Sequence, residues 1–167
     1  MKQYFLSGVV CSVFVFVLWG VSAHTTQAYF TTSQKTIELD NGAALFLVDY
    51  EFGHKNHEIQ MPFKIINADS KATDTLSFAI VDKDNGKIPG KASAIIVSNT
   101  PLKKGLYSIP AGLQKKFTLI VVFTPSASTT EDYRLQVTNL PFNFDGKQQL
   151  QLNPSELKYY TTPYTNL

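Results

Sequence analysis

Apolar residues return at every second position in one stretch after another of this chain, and that period of two is the strongest constraint on its fold. Ala44, Phe46, Val48, Tyr50 and Phe52 share one face of an extended segment, with Asp49 and Glu51 on the other. Ile59, Met61, Phe63 and Ile65 repeat the pattern against Glu58, Gln60 and Lys64. Leu76, Phe78 and Ile80 form a third run, Ser93 to Val97 a fourth and Gly105 to Ile109 a fifth. Phe117 to Phe123 is a sixth, and Tyr133, Leu135 and Val137 begin a seventh. Turn signals rich in Asp, Asn, Gly and Pro separate them at Asp40–Gly42, Asp84–Gly90, Asn99–Pro101 and Phe144–Gly146. No segment sustains the helical period; Asn153 opens a fair helix start that Thr161-Thr162-Pro163 stops. The expected fold is all-β, a single antiparallel sandwich of roughly seven or eight short strands.

At 167 residues the chain suits one domain with a real core and is short for two. The sandwich is expected over residues 40–155, preceded by residues 24–39 as an extended N-terminal segment or first strand. Residues 156–167 follow as an aromatic C-terminal strand or tail. Phe117, Leu119, Val121 and Phe123 face one way and Thr118, Ile120 and Val122 the other, so this run is apolar on nearly both faces. That pattern predicts a strand central to the sandwich. With Lys115-Lys116 in front, the stretch superficially matches the processing site of a type IV pilin precursor. Its position far along the chain, and Val121 where that site needs Glu, exclude the match.

Met1-Lys2-Gln3 supplies one positive charge, and Phe5 to Val21 then runs without any charge. Val21 and Ala23 stand where a signal peptidase reads small residues, so residues 1–23 are expected to be a cleaved secretory signal, with an uncleaved membrane anchor as the alternative. Either reading places the domain outside the cytoplasm, as a secreted, periplasmic or cell-surface protein. The sole cysteine, Cys11, lies within the apolar run, so the exported chain would hold no disulfide and no thiolate, and its stability must come from burial. Lys+Arg 15 against Asp+Glu 13, with no block of one sign, gives no footprint for nucleic acid or an anionic membrane surface.

Few residues group into chemistry. His54, His57 and Glu58 lie within five positions, the one candidate metal set. Their order, His-x-x-His-Glu, matches neither zinc-protease pattern, and extended flanks would place His54 and Glu58 on one side and His57 on the other. A hairpin loop could bend them, with Asp49 or Glu51, around a divalent ion; a solvated hairpin tip is the competing reading. Asp82 to Lys87 resembles a calcium loop for three residues, but Gly86 stands where a ligand is due and no Glu closes the site. Asn85-Gly86 suits instead a two-residue hairpin turn with both residues at positive φ. Gly86 to Ser93 echoes a phosphate loop with the wrong spacing and no hydroxyl. There is no Gly-x-Ser-x-Gly elbow and no cysteine nucleophile, so no enzyme and no cofactor is expected. Tyr159, Tyr160 and Tyr164 in the tail could stack on sugar or extend a neighbour's sheet; an edge strand with one Tyr packed and another exposed is the expectation.

Thr129 to Val137, "TTEDYRLQV", resembles the E–F corner and F strand of immunoglobulin-like domains. The resemblance implies a structural Tyr133 whose hydroxyl bonds back to the corner backbone, although the paired cysteines and core Trp of antibody domains are missing. Thr26 to Leu39, "TQAYFTTSQKTIEL", is similar to the start of secreted bacterial matrix proteins of the camelysin/TasA type, which implies a jelly-roll-like sandwich able to assemble into fibres. The function expected is a non-enzymatic cell-surface structural or adhesive module. It would join itself or another surface protein by strand addition through His24 to Leu39, touching membrane only through an uncleaved N-terminal segment. The alternative is an extracytoplasmic domain binding a small ligand or divalent metal.

Overall fold

The computed structural model describes residues 31–39, 42–62, 64–67, 75–126, 132–146, 148–151, 157 and 160–165. Within them the longest ladder joins β2 (Ala43–Gly53) to β9 (Gln114–Pro125), antiparallel from Ala44 opposite Phe123 to Gly53 opposite Gln114. The alternation read from the sequence is what this ladder expresses. Ala44, Phe46, Val48, Tyr50 and Phe52 are buried beside Phe117, Leu119, Val121 and Phe123. Two strands flank the pair: β1 (Thr31–Leu39) on β2, and β6 (Gly90–Ser98) on β9. The sheet order is therefore β1-β2-β9-β6.

Two further sheets complete the described chain. One, ordered β12-β11-β3-β8-β7, joins β3 (Ile59–Pro62), β7 (Leu102–Lys103), β8 (Leu106–Ile109), β11 (Pro141–Phe144) and β12 (Gln148–Gln151). The other, ordered β10-β5-β4, joins β4 (Ile65–Asn67), β5 (Leu76–Asp82) and β10 (Tyr133–Asn139). All ladders among the described residues are antiparallel except β4 with β5. No helix there is long and apolar enough to cross a membrane. The protein is all-β with antiparallel sheets.

Three expectations change in detail. The run from Ile59 to Ile65 is two strands in different sheets, because Pro62 cannot donate to a ladder and β4 turns away to pair with β5. β9 is central to its sheet, but only its inner face is covered: Val122 on the outer face is 39% exposed and Ile120 half-buried. The strand buried on both faces is β5, where Leu76, Phe78 and Ile80 alternate with Ser77, Ala79 and Val81. Its buried Ser77 hydroxyl shares a hydrogen bond with Thr138 (2.8 Å), which removes the cost of taking it from water. Thirdly, Asn85 takes a positive φ of 63° as expected, but Gly86 does not. The Asp82 carboxylate accepts the amides of Asp84 (2.8 Å) and Gly86 (2.7 Å), and a Cβ on Gly86 would lie 2.5 Å from its second oxygen. A side chain at position 86 would push the Asp82 carboxylate off these amides.

The tail behaves as an edge. Tyr133 exchanges backbone hydrogen bonds with Thr165 (2.8 Å each way), and Thr162 bonds to Leu135 (2.9 Å), so residues 161–165 run antiparallel along β10. Thr165 donates to Glu38 (2.9 Å) and Thr36 to the Pro163 carbonyl (3.4 Å), tying the same segment to β1. Tyr160 is buried against Tyr50, with ring centroids 5.8 Å apart, while Tyr164 is 37% exposed beneath the Arg134 guanidinium. Tyr159 lies outside the described residues, as do residues 1–30 with the expected signal.

Phe117 stacks on Tyr50 with centroids 5.5 Å apart and is fully buried, so Phe117→Ala should lower unfolding stability by about 3–5 kcal/mol in urea titration. Val122→Ala, on the outer face of the same strand, should cost less than about 1 kcal/mol.

Candidate functional site

The His54/His57 loop is where the sequence concentrates ionisable side chains, and local geometry decides what they can do. β2 ends at Gly53, and residues 55–57 bend sharply before β3 begins at Ile59. His54 holds that bend: its Nδ1 accepts the backbone N–H of Asn56 (3.1 Å) and of His57 (3.0 Å). Its carbonyl accepts Gly112 N–H (2.8 Å) from the β8–β9 connection. The ring is buried, at 3% exposure, edge-on to Phe144 with centroids 5.1 Å apart.

Two accepted amides occupy the Nδ1 lone pair, so the neutral ring carries its proton on Nε2. Nε2 is itself buried with no hydrogen-bond partner. Burial pushes the His54 pKa below its ordinary 6.5; the neighbouring His57 adds to the shift, against the opposing pull of Asp145.

His57 turns to an acidic partner. Its Nδ1 lies 2.7 Å from Asp145 Oδ2, both side chains nearly half exposed, and Asp145 Oδ1 accepts the Glu58 amide (2.9 Å). Asp145 N–H in turn donates to the Glu58 carbonyl (2.9 Å), so the β11–β12 turn is pinned to the loop by a side chain and by backbone. Glu58 receives the Ser108 hydroxyl from β8. The loop is therefore a junction between three connections.

The metal set read from the sequence divides accordingly. The structure brings the His54 and His57 rings together, centroids 4.8 Å apart, where extended flanks would have held them on opposite sides. The difference is the bend at residues 55–57. Yet His54, His57 and Glu58 take separate partners, and Asp49 is engaged elsewhere by Thr118 (2.6 Å) and Lys116 (2.9 Å). Among the described residues no group of three or more His, Cys, Asp or Glu side chains is disposed to hold a metal ion. Asp145 and Ser108, which complete the junction, were invisible as partners. Asp145-Gly146 reads only as a turn, and 88 positions separate Asp145 from His57.

The residues expected to be structural all enter the core. Phe117, Leu119, Val121 and Phe123 are 0–1% exposed. Tyr133 is wholly buried, edge-on to Phe123 (5.6 Å) and Phe46 (6.2 Å). Among the described residues its hydroxyl has no hydrogen-bond partner; the immunoglobulin-like resemblance would direct that bond to corner backbone. The acidic turn of that corner lies mostly outside the described residues. Burial, with Glu38 nearby, pushes the Tyr133 pKa up to about 12.

The His54 shift has a definite sign. A histidine whose folded pKa is depressed is protonated first in the unfolded chain, so stability is full above about pH 6.5 and declines as pH falls below it. His54→Gln, which keeps an acceptor for the two amides, should show a shallower decline between pH 7 and 5 when unfolding is followed by urea titration at each pH. Asp145→Ala should lower stability by about 1–2 kcal/mol, through the loss of its bonds to His57 and the Glu58 amide. Set against known proteins, the chain matches no family model and no curated sequence.

Proposed function

We propose that this chain is an exported, non-enzymatic module of the cell surface, structural or adhesive in role, folded as an immunoglobulin-like or jelly-roll-like sandwich and joined to its neighbours by strand addition. The sandwich reading is supported by rings meeting across sheets: Phe46 of β2 and Phe123 of β9 both pack edge-on to Tyr133 of β10. The export reading rests on the charge-free run from Phe5 to Val21.

One observation carries strand addition. β1 follows the N-terminal segment directly, is an edge strand, and has β2 as its only ladder partner among the described residues. From Ser33 to Leu39 none of its side chains is buried; Ser33, Lys35 and Glu38 are exposed. Its attachment is thus chiefly a row of main-chain hydrogen bonds, with little apolar area to anchor it to one copy. The same row can form with equal register against β2 of a second molecule, which is how β-augmentation obtains affinity from backbone pairing. Two side-chain bonds join the tail to β1, Thr165 donating to Glu38 and Thr36 of β1 donating to the Pro163 carbonyl, and among the described residues no ladder does.

The second reading, a divalent-ion or small-ligand domain, is favoured by one feature, the exposed His57–Asp145 pair. Titration with zinc and with calcium separates the two, because a bound ion raises the melting temperature with concentration by mass action. Strand addition predicts no ion-dependent shift. It predicts instead concentration-dependent assembly of the exported form, and a lower melting temperature with loss of assembly when residues 24–34 are deleted. A protein that stays monomeric at high concentration, with a melting temperature indifferent to that deletion, refutes it. N-terminal sequencing of the exported form tests cleavage after Ala23.

A further inference from the structure

The outer face of the β1-β2-β9-β6 sheet carries aliphatic side chains that the rest of the described fold leaves uncovered. Register places Leu45 beside Val122 and Leu47 beside Ile120, and β6 extends the second row with Ile95. Val97 lies on the same face of β6, one step along. Ile95 is 57% exposed, Val97 49% and Val122 39%. Isolated exposed apolar residues need no explanation, but these three, with half-buried Leu45, Leu47 and Ile120 in adjacent rows of one sheet face, form a patch of the kind that marks an interaction surface.

The chemistry of the patch narrows the partner. All six side chains are branched aliphatics and none is aromatic, so the face offers no platform on which a sugar ring would stack. A flat, branched aliphatic sheet face suits another such face, packed about 10 Å away with side chains interdigitated. Charge sits at the two ends of the patch with opposite sign. At one end Asp49 and Glu51 stand against a single lysine, Lys116. At the other end Lys91 is exposed on β6, opposite Thr124, while Lys35 on β1 lies beside Leu47 at the flank of the middle row. Burial raises the Asp49 pKa, but hydrogen bonds from Thr118, Lys116 and Ser33 and the Lys116 charge outweigh it and hold the carboxyl below its ordinary value, so Asp49 stays ionised.

We propose that a second copy of this chain docks on this face, outer sheet against outer sheet, about a two-fold axis running across the strands. That rotation lays the acidic end of each copy over the basic end of the other and the two aliphatic centres on each other, an isologous contact needing one self-complementary surface. It rests on the reading of the chain as an assembling module, but uses a sheet face where strand addition uses β1, so the two contacts can fail separately. Together they would give each copy a face contact and an edge contact, enough to propagate a fibre or layer.

The test is sedimentation equilibrium of the exported chain over a wide concentration range, with five substitution variants and the deletion of residues 24–34. Ile95→Lys and Val97→Lys alter exposed positions and should each weaken the dimer by about tenfold or more. Leu113→Lys, equally exposed at 49% but off this face, should leave it unchanged. Lys91→Glu should weaken the dimer, and adding Glu51→Lys should restore it. Circular dichroism and melting temperature confirm that each variant is folded. A monomer at all concentrations overturns the proposal. So does a dimer that ignores the lysine substitutions but disappears when residues 24–34 are deleted, which leaves strand addition standing. Pelleting with phosphatidylcholine/phosphatidylglycerol vesicles forms the last arm. Binding to vesicles that depends on Ile95 and Val97, without self-association, overturns the proposal in favour of a lipid surface.

Discussion

The ladder between β2 and β9 is the constraint on which the other elements depend. It supplies nine of the buried core side chains from two adjacent strands, Ala44 to Phe52 and Phe117 to Phe123. Beyond Cys11, which lies in the N-terminal apolar run, the chain has no cysteine, so no cross-link shares the burden. Burial at roughly 25 cal/mol per Å2 of apolar surface must offset the chain's conformational entropy. Tyr50 is the meeting point: stacked on Phe117, edge-on to Phe52 and to Tyr160 of the tail. Its hydroxyl is buried without a partner, which raises its pKa well above the ordinary tyrosine value; Tyr160 and Tyr107 add to that rise. The Tyr107 hydroxyl, whose pKa burial also raises, has a partner in the Ile96 carbonyl, to which it donates (3.2 Å).

The sequence made some of this legible for identifiable reasons. Strands β2, β5 and β10 declare themselves because a strand with one or both faces buried must place large apolar residues at alternate positions. The tail could be read as an edge with one Tyr packed and another exposed, because that follows from the same rule; which of them is which, Tyr160 buried and Tyr164 exposed, came from the fold. β7, with two residues, and β12, reading Gln-Gln-Leu-Gln, carry no hydrophobic signal, and they are held by neighbours distant in the chain. The outer face of β9 misleads. Ile120 and Val122 look like core because composition cannot distinguish a face that the same chain covers from one left open. That open face is the one on which docking is proposed.

The candidate site was legible as a cluster and illegible as a mechanism. His54 and His57 stand out by spacing, but the fate of each is set by residues the spacing does not mention. His54 is consumed by its own turn, as the acceptor for two amides that would otherwise be orphaned at a buried bend. His57 and Glu58 are consumed by Asp145 and Ser108, from strands that reach the loop only once the five-stranded sheet has formed. Polar residues concentrated at a junction between loops serve first to satisfy backbone there. The surfaces left for interaction are the edges and the open face of the four-stranded sheet.

Separability of β1 from the β2–β9 pair is what joins the fold to the assembling role proposed for it, and native-state amide hydrogen exchange measures it directly. The amides of β2 and β9 that face each other should exchange only through global unfolding. Those of β1 should exchange through a local opening of distinctly lower free energy, unchanged by denaturant at low concentration. Protection of β1 equal to that of β2 and β9, with the same denaturant dependence, would contradict an exchangeable N-terminal strand.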